Sequence, residues 1–482
     1  MITTILKKYY NLSKPVKASL WFVVSSFLLK GISFITLPIF TRLLTTSEYG
    51  QIAVFQSWLV IFSIITTLSV YAGGVLNVSL TKYLERKNEV ISSYQGLAIT
   101  ITTAFFVLSL MILDPLSNAL GMSPFLVVCM YIDILVQIPF NIWATSQRYD
   151  YEYKNLVTLT IINSVMNPTV SIIAVLNFPA HRVEAKIIGA LIVSSIIGIS
   201  LFIRNQVCGK KFFDWKMWKF GVLFSVVLIP HYLSSQILNQ SDRVMINWLT
   251  GSADAGIYSV AYNFAMIFML VLAGIESSLT PYIYKSLKEN KIQELYNKTV
   301  GVIGFEAILA IIFICFLPDI FKFLLPEAYY PALYVIPPVL VGIFFSMLYN
   351  LFGAVEFFHE ENKYVAIASI LGATLNIILN YIFIPIYGFM AAAYTTLICY
   401  FLFCLAHFFF MKIVLKKNNK RGLQIYNIKA IGLISIALIT INFIMLAVYD
   451  SFIIRWCIIL FICFIMLIKR DTLINMLKEL RN

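Results

Sequence analysis

Apolar residues run along this chain in long stretches that short polar segments separate. Most stretches hold about 20 residues, the length of helix that crosses the hydrocarbon core of a bilayer. Spans are predicted at residues 18–40, 49–72, 92–113, 123–145, 155–178, 186–205, 217–249, 254–285, 297–317, 332–358, 364–385, 388–411, 426–448 and 451–468. The pattern predicts an all-α polytopic membrane protein of about 14 transmembrane helices. The first stretch is too long for a secretory signal peptide and lacks its small-residue cleavage site.

The basic residues of the polar segments lie mostly on one side of the predicted membrane. Of the 36 Lys and Arg residues, 29 lie in segments on the side of the N-terminus and six on the opposite side. Cytoplasmic loops carry the excess of Lys and Arg in membrane proteins. Both termini are therefore predicted in the cytoplasm. Lys30 belongs to neither set, because it lies in the middle of the first span.

Composition and motifs exclude several function classes. The net charge of +13 lies largely in short cytoplasmic loops, which favours orientation and contact with anionic lipid over nucleic-acid binding. The sequence has no Walker A, G-x-S-x-G or G-x-G-x-x-G motif, and His359-Glu360 lacks the second histidine of H-E-x-x-H. The four histidines are scattered, and the seven cysteines have no partner in an oxidising loop. We therefore predict no enzyme activity, no metal or other cofactor and no disulfide.

Two sequence patterns recur in the second half of the chain. The segment around Gly50, between the first two spans, resembles the segment around Gly256, 206 residues later. Two asparagines one helical turn apart recur after 213 residues, at Asn163 and Asn167 and at Asn376 and Asn380. The repeats predict two six-helix lobes with a central cavity, residues 1–205 and 206–413. Residues 414–482 are predicted to form an extra transmembrane helix pair and a cytoplasmic tail.

Short motifs in both halves resemble those of a known family. The first helix and loop contain Lys30-Gly31-Ile32-Ser33-Phe34, Pro38-x-x-Thr41-Arg42-Leu43-Leu44 and Glu48-Tyr49-Gly50. The second half contains Asp242-Arg243 and Gly256-Ile257-Tyr258-Ser259-Val260-Ala261-Tyr262. These residues resemble the signatures of Wzx-type polysaccharide flippases, which belong to the multidrug/oligosaccharidyl-lipid/polysaccharide exporter superfamily. The resemblance covers essentially the whole chain, since the length, the lobe arrangement and the extra helix pair all match.

The resemblance implies a function, a location and a set of partners. Proteins of this type turn undecaprenyl-diphosphate-linked oligosaccharide repeat units across the bacterial cytoplasmic (inner) membrane by alternating access between two lobes. The repeat units serve the synthesis of O-antigen or capsule. The expected partners are this lipid-linked oligosaccharide, membrane lipid, a proton or sodium ion for coupling, and other polysaccharide-assembly membrane proteins. Nucleic acid is not expected as a partner.

Lys30 is the first candidate for a substrate-binding residue. An ammonium near the bilayer midplane costs several kcal/mol unless it faces water or a counter-charge. Helical spacing places Ser26, Lys30 and Ser33 on one stripe, which predicts a line of polar residues facing the cavity. Lys30 would then bind the diphosphate. The alternative is a structural ion pair with Asp133, which lies at similar depth, and a further hypothesis takes Asp133 as a protonatable carboxylate for coupling.

The seventh span carries a second group of candidates. Polar residues follow helical spacing in its outer half at Ser235, Asn239, Asp242, Arg243 and Asn247. This stripe predicts a helix face lined by water, although Asp242 and Arg243 are also compatible with an interfacial pair at a helix end. The substrate-binding candidates are Lys30, Asn239, Asp242 and Arg243, together with Arg42 of the first-loop motif.

Carboxylates in the second half supply another coupling candidate. Glu276, Glu306 and Glu356 lie toward the cytoplasmic ends of their helices, where carboxylates are ordinary. We choose Glu276 as a second coupling candidate, in addition to Asp133, because the hydroxyl residues Ser277, Ser278 and Thr280 follow it closely in the sequence. Arg455 in the last span is expected to snorkel to the outer interface.

Three other functions are compatible with parts of this pattern. A cation-coupled small-molecule or multidrug antiporter of the same fold should prefer cavity acids to a midplane lysine, because its substrates are usually cations. A membrane polysaccharide polymerase or ligase would normally need a large catalytic outer loop, and the outer loops here are short. A scaffold that binds a lipid carrier without transporting it would leave no distinct mark on the sequence. Neighbouring glycosyltransferase and polymerase genes would favour the flippase.

Overall fold

A computed structural model describes residues 12–72, 74–418 and 422–468 of the 482-residue chain. The helices are α1 (Lys14–Leu43), α2 (Thr46–Thr66), α3 (Val75–Lys82), α4 (Lys87–Met111), α5 (Leu113–Leu120), α6 (Pro124–Tyr149), α7 (Tyr153–Asn177), α8 (Arg182–Gly209), α9 (Trp215–Leu249), α10 (Ser252–Lys288), α11 (Ile292–Leu324), α12 (Ile336–Phe358), α13 (Asn362–Tyr387), α14 (Met390–Lys417), α15 (Ile428–Ala447) and α16 (Phe452–Ile468). Short 3₁₀ segments lie at Leu84–Arg86 and Glu327–Tyr334. Within the described residues, 13 helices are long and apolar enough to cross a membrane. The predicted class, an all-α polytopic membrane protein, is confirmed.

The observed helices follow the predicted spans with two kinds of difference. The last predicted span is the 17-residue apolar helix α16. The short helices α3 and α5 lie in segments that were predicted as connections. The predicted cytoplasmic tail from residue 469 onward lies outside the described residues, as do eight of the basic residues counted above: Lys7, Lys8, Lys420, Arg421, Lys469, Arg470, Lys478 and Arg481.

Polar side chains at helix starts determine where several helices begin. Thr45 and Glu48 form a capping box at the start of α2, in which Thr45 Oγ1 accepts from the Glu48 N–H at 3.2 Å and Glu48 Oε2 accepts from the Thr45 N–H at 2.7 Å. Asp214 Oδ1 accepts from the N–H groups of Lys216 and Met217 at the start of α9, at 3.0 and 3.1 Å. These caps pair backbone donors that a helix start leaves without partners.

Contacts divide the chain into two compact units, Met1–Gly256 and Ile257–Asn482. The boundary falls inside α10, so its first turn belongs to the first unit and the rest to the second. This division rests on spatial contact, whereas the division into residues 1–205, 206–413 and 414–482 rests on sequence repeats. The repeat-based division stays a prediction.

In the first unit, α8 packs against α4, α6 and α7, and α2 packs against α9. Apolar side chains such as Phe55, Met130 and Tyr131 fill the core between these helices. By contrast, α1 packs mainly against α7, where Trp21 stacks on Tyr153 with ring centroids 6.4 Å apart. Most other side chains of α1 are exposed. This helix therefore presents most of its surface to lipid or water.

The two repeat-related glycines meet at a close helix crossing inside the first unit. A Cβ added to Gly50 would lie 1.7 Å from the Ser252 carbonyl oxygen, and one added to Gly256 would lie 2.0 Å from that of Thr46. The hydroxyls of Ser47 and Ser252 lie 2.6 Å apart. Thr46 and Gly50, like Ser252 and Gly256, are four residues apart, the spacing of small residues that lets helices approach closely in membranes. The first turns of α2 and α10 contact each other reciprocally.

In the second unit, α14 packs against α12 and α13, and α12 is almost wholly buried. Tilted pairs of aromatic rings join α10 to α11, with ring centroids 5.0 Å apart for Phe264 and Phe321 and 5.9 Å apart for Phe268 and Phe313. The extra helix pair, α15 and α16, packs against α11.

Arg455 does not snorkel, so this prediction was wrong. The side chain is 3% exposed, and its guanidinium makes two bonds of 2.9 and 2.8 Å to the two carboxylate oxygens of Asp319 on α11. It also donates to the Cys315 carbonyl oxygen at 2.8 Å. The planar guanidinium fits this bidentate geometry, which a single sequence position does not reveal. The pair attaches α16 to the second unit.

Asparagines of both recurring pairs contact the helix that follows them. Asn167 Nδ2 donates to the Ala190 carbonyl oxygen on α8 at 3.5 Å. In the second unit, Asn376 Nδ2 donates to Thr396 Oγ1 on α14 at 3.4 Å, and Asn380 Nδ2 donates to Asn376 Oδ1 at 3.2 Å. The repeated asparagines therefore lie at corresponding helix contacts, α7 with α8 and α13 with α14.

Candidate functional site

Lys30 lies near the middle of α1, sixteen residues after its first residue and thirteen before its last. The side chain is exposed, as are those of Ser26 and Ser33 on the same stripe. Among the described residues, Lys30 has no hydrogen bond or ion pair. The helix exposes this ammonium instead of packing it against a neighbour. In a membrane, such a group needs water or an anion as its partner.

The alternative ion pair between Lys30 and Asp133 is not formed. Asp133 lies on α6 and is 8% exposed, and its Oδ1 accepts a hydrogen bond from Gln137 Nε2 at 2.7 Å. Gln137 is one turn further along the same helix, so the carboxylate is bound within α6. Asp133 is therefore buried in the first unit, away from the exposed stripe of Lys30.

Several basic residues lie where α1 ends and α8 begins. Arg42 is in the last turn of α1, exposed, and within the described residues it has no hydrogen bond or ion pair. Arg182 Nη1 lies 3.9 Å from Glu48 Oε2. Lys186, on the second turn of α8, places its Nζ 5.0 Å from the centre of the Phe40 ring, a cation–π contact. Three basic side chains, Arg42, Arg182 and Lys186, thus lie at this end of the first unit together with the acidic residues Glu48 and Glu184.

The candidates of the seventh span form a polar group on α9. Arg243 Nη1 donates to the Asn239 carbonyl oxygen at 2.7 Å and to Gln240 Oε1 at 3.1 Å. Gln240 Oε1 also accepts from Ser57 Oγ on α2 at 3.3 Å, so the group extends to a neighbouring helix. Asp242 is 1% exposed. The structure thus brings Asn239 and Arg243 into contact.

Glu276 is the coupling candidate of the second unit. It is partly buried on α10, and its Oε1 accepts from Asn350 Nδ2 on α12 at 2.8 Å. Glu276 therefore forms a polar contact between α10 and α12 of this unit.

Sequence reasoning missed a deeply buried titratable pair. His407 Nδ1 on α14 lies 2.9 Å from Glu356 Oε1 on α12, with side-chain exposures of 1% and 0%. Glu306 is also 0% exposed, and both of its carboxylate oxygens are buried without a hydrogen-bond partner. Ionisable residues within apolar spans are functional candidates by default. Applying that rule to His407 would have selected it, whereas searching the histidines for metal-ligand spacing did not.

Acidic groups between the spans are held ionised by neighbouring lysines. Lys211 Nζ lies 2.8 Å from Asp214 Oδ2, and its hydrogen bond and charge lower the pKa of the Asp214 carboxyl. Glu361, between α12 and α13, binds Lys417 and lies 3.6 Å from Lys363 Nζ, and the bond from Lys417 lowers its pKa. These two carboxylates therefore stay charged at neutral pH and are unsuited to carrying a proton.

A known family matches the chain from α1 to the end of α10. Its sequence model, described as polysaccharide biosynthesis protein, matches residues 16–287, more than half of the chain. The chain belongs to this family. A second model, MatE, matches residues 228–382 of this polysaccharide biosynthesis protein. The sequence resemblance to Wzx-type flippases is thereby confirmed, and the protein is a multi-pass membrane protein of the exporter superfamily.

Two curated relatives have sequences similar to this chain over different fractions of its length. The Lsg locus putative protein 1 of Haemophilus influenzae is 21% identical, over 75% of this chain and 89% of the relative. The succinoglycan biosynthesis transport protein ExoT of Rhizobium meliloti is 24% identical, over 54% of this chain and 52% of the relative. The second relative is described as a transport protein of succinoglycan biosynthesis, which agrees with the family.

Among solved structures, the lipid II flippase MurJ in an inward closed conformation superposes with a TM-score of 0.72. The match covers 93% of this chain and 99% of MurJ at 16% sequence identity. At this identity the similarity establishes the fold alone. The polysaccharide biosynthesis protein described here therefore has the helical fold of that flippase.

Proposed function

We propose that this protein flips undecaprenyl-diphosphate-linked oligosaccharide repeat units across the bacterial cytoplasmic membrane, for O-antigen or capsule synthesis. The observation that carries the proposal is the exposed ammonium of Lys30 in the middle of a spanning helix. A diphosphate offers at least two negative charges to such a group. Lysine is a common phosphate ligand, because its ammonium is a compact charge with three donors.

Further polar groups of the first unit support an anionic, sugar-bearing substrate. Arg42 is exposed at the end of α1, and Arg243 and Asn239 form a polar group on α9. Guanidinium and amide groups are suited to phosphate oxygens and sugar hydroxyls. We include Arg42, Asn239, Asp242 and Arg243 with Lys30 as substrate-binding residues. The prenyl tail would stay in lipid, so the chain would act as a transporter and not as an enzyme.

Coupling and partners follow from the same proposal. A proton or sodium ion would drive the cycle, with Asp133 and Glu276 as coupling residues. One oxygen of each carboxylate accepts a hydrogen bond from a side-chain amide, at 2.7 Å from Gln137 for Asp133 and at 2.8 Å from Asn350 for Glu276. The second oxygen of each carboxylate would bind the cation or the proton. Other polysaccharide-assembly membrane proteins would deliver and consume the lipid-linked sugar.

Deleting the gene is the direct test of the proposed function. We expect surface polysaccharide to disappear while undecaprenyl-diphosphate-linked oligosaccharide accumulates in the inner leaflet, measured by lipid extraction and by accessibility to a membrane-impermeant probe. Expression of the intact chain should restore both. Since the MatE match favours a multidrug antiporter as the second candidate, drug tolerance is measured in the same strains. Normal polysaccharide together with lost drug tolerance would replace the flippase with the antiporter.

Both termini are expected in the cytoplasm, because the basic residues lie predominantly on the N-terminal side. Reporter fusions after Leu120 and Gly251, which follow α5 and α9, should be active outside. Fusions after Lys87 and Lys291, at the Lys-rich connections before α4 and α11, should report the cytoplasm. An inverted result at two of these four sites would refute the topology.

A further inference from the structure

We propose that Glu356 and His407 form a proton-binding site inside the second unit, and that this site couples a proton gradient to transport. The coupling role rests on the proposed flippase function, whereas the proton-binding role does not. His407 Nδ1 and Glu356 Oε1 are 2.9 Å apart, and both side chains are almost wholly buried. Neither residue contributes to the substrate-binding group described above.

Unpartnered atoms of the pair indicate where a proton is gained. His407 Nε2 and Glu356 Oε2 are both buried without a hydrogen-bond partner. With Nδ1–H donating to Glu356, the neutral imidazole keeps a free lone pair on Nε2. A proton from water binds there, which converts the pair from a net charge of −1 to an imidazolium–carboxylate pair of net charge zero. Release returns the same proton to water, and no other bond changes.

Three aromatic rings surround the His407 imidazole. The Tyr349 ring stacks on the imidazole with centroids 5.4 Å apart, and the Phe403 ring meets it edge to face at 4.7 Å. The Phe410 ring lies at 6.4 Å. Aromatic rings attract a cation placed over their faces, most strongly where water is excluded. The pair and its rings are therefore suited to holding a proton away from water.

The buried pair lies close to the end of α12, where charged residues mark the nearby aqueous phase. Glu356 lies in the last turn of α12, two residues before its end, and Glu361 follows in the connection to α13. Glu361 binds Lys417 and Lys363, which form a charged rim. Hydrated charges of this kind do not lie in the hydrocarbon core. The pair is therefore about one helical turn from the aqueous phase on the Lys-rich side.

Two residues of α12 connect the pair to Glu276 on α10. The Tyr349 ring stacks on the His407 imidazole, with ring centroids 5.4 Å apart. Asn350, the next residue, donates to Glu276 Oε1 at 2.8 Å. Polar and titratable side chains of α10, α12 and α14 are therefore joined by direct contacts in this part of the second unit.

Other titratable groups lie on the elements around the pair. They include Glu276 and Tyr284 on α10, Glu306 on α11, Tyr349 on α12, His359 and Glu361 between α12 and α13, Lys363 and Tyr364 on α13, Cys399, Cys404, Lys412 and Lys417 on α14, and Tyr426 before α15. Lys363 is bound to Glu361 at the rim, and Tyr426 donates to the Leu351 carbonyl oxygen at 2.9 Å. Imidazole is the side chain that ordinarily changes charge between about pH 5 and 8. His407 is the imidazole of the pair, and its proton binding is therefore the property to measure.

The first test measures proton binding without any substrate. Histidines are labelled with ¹⁵N in the purified full-length protein in detergent, and the signal missing from His407→Gln is assigned to His407. We expect this signal to titrate, and Glu356→Gln to move its midpoint down by about one to three pH units, because the carboxylate charge favours the imidazolium. A His407 signal that does not titrate between about pH 5 and 9, or that ignores Glu356→Gln, would overturn the proton site.

The second test measures coupling in the deletion strain. Glu356→Gln and His407→Gln keep hydrogen-bonding groups at both positions but remove the titration. We expect at least about tenfold lower export at normal membrane levels, with the remaining export insensitive to a protonophore. Tyr426→Phe is the matched control, since it removes one buried hydrogen bond of the same unit, and it should export and respond as the wild type does.

Full export by both Gln variants with the wild-type protonophore response would overturn the coupling role and leave the pair as a structural contact between α12 and α14. The two proposals fail in distinguishable ways. If the wild-type chain itself does not restore polysaccharide, the flippase function fails, and the titration of His407 still decides whether the proton site exists.

Discussion

Replacing Lys30 by alanine is expected to abolish surface polysaccharide while the protein still reaches the membrane at its normal level. Each hydrogen bond from a charged donor contributes about 1.5–3 kcal/mol, and an ammonium can give three to a diphosphate. Since Lys30 is exposed and has no partner among the described residues, its removal disturbs no packing. Lys30→Arg should keep part of the activity, because it keeps the charge but presents it as a planar fork.

Two further variants make the Lys30 result specific. Lys14→Ala, on the same helix, removes only an exposed ion pair with Glu152, and exposed pairs contribute at most about 1 kcal/mol. It should export normally. The double variant Lys30→Ala with Asp133→Ala should stay inactive, because Asp133 is bound by Gln137 and does not pair with Lys30. Recovery of export in the double variant would show that Lys30 has only a structural role.

Alanine at Gly50 or at Gly256 is expected to destabilise the protein strongly. The added methyl group would overlap a backbone carbonyl oxygen, at 1.7 Å for Gly50 and 2.0 Å for Gly256, so α2 and α10 must move apart. Overpacking of this kind costs about 1–3 kcal/mol or more. The fall is measured as a lower midpoint of thermal unfolding in detergent. The double variant should lose less than the two single losses added together, because both changes separate the same two helices.

Gly274→Ala is the matched control for the helix crossing. Gly274 lies on α10, as Gly256 does, and a Cβ there would have no neighbour within 4 Å. The change should be neutral or slightly stabilising, because alanine in a helix interior is favoured over glycine by about 0.5–1 kcal/mol. If Gly50→Ala were as stable as Gly274→Ala, the close crossing of α2 and α10 would be refuted.

The spans could be predicted from sequence because a membrane demands one local property, a run of apolar residues of helical length. The same reasoning located Lys30 as an isolated charge within a span. It could not locate the helices α3 and α5, since eight residues are too few to give a clear apolar run or helical period. Local patterns thus predicted the long helices and not the short ones between them.

Partners distant in sequence could not be predicted in the same way. Arg455 and Asp319 are separated by 136 positions, and His407 and Glu356 by 51. Each side chain taken alone resembles an ordinary charge near a helix end, and only the packing of the helices shows that it is buried and paired. The candidate pair of Lys30 and Asp133 failed for the same reason, because similar depth in the membrane does not establish that two side chains share a face.

The bond between Arg455 and Asp319 has a consequence for the biosynthesis of the protein. Ribosomes add about 5–20 residues per second, so Arg455 is made roughly 7–27 seconds after Asp319. Throughout that interval Asp319 on α11 has no ion-pair partner, because Arg455 has not yet been synthesised. The nascent second unit must tolerate this carboxylate until α16 inserts beside α11. A ribosome that stops before α16 would therefore release a chain with an uncompensated acid, a defect that membrane proteases could recognise.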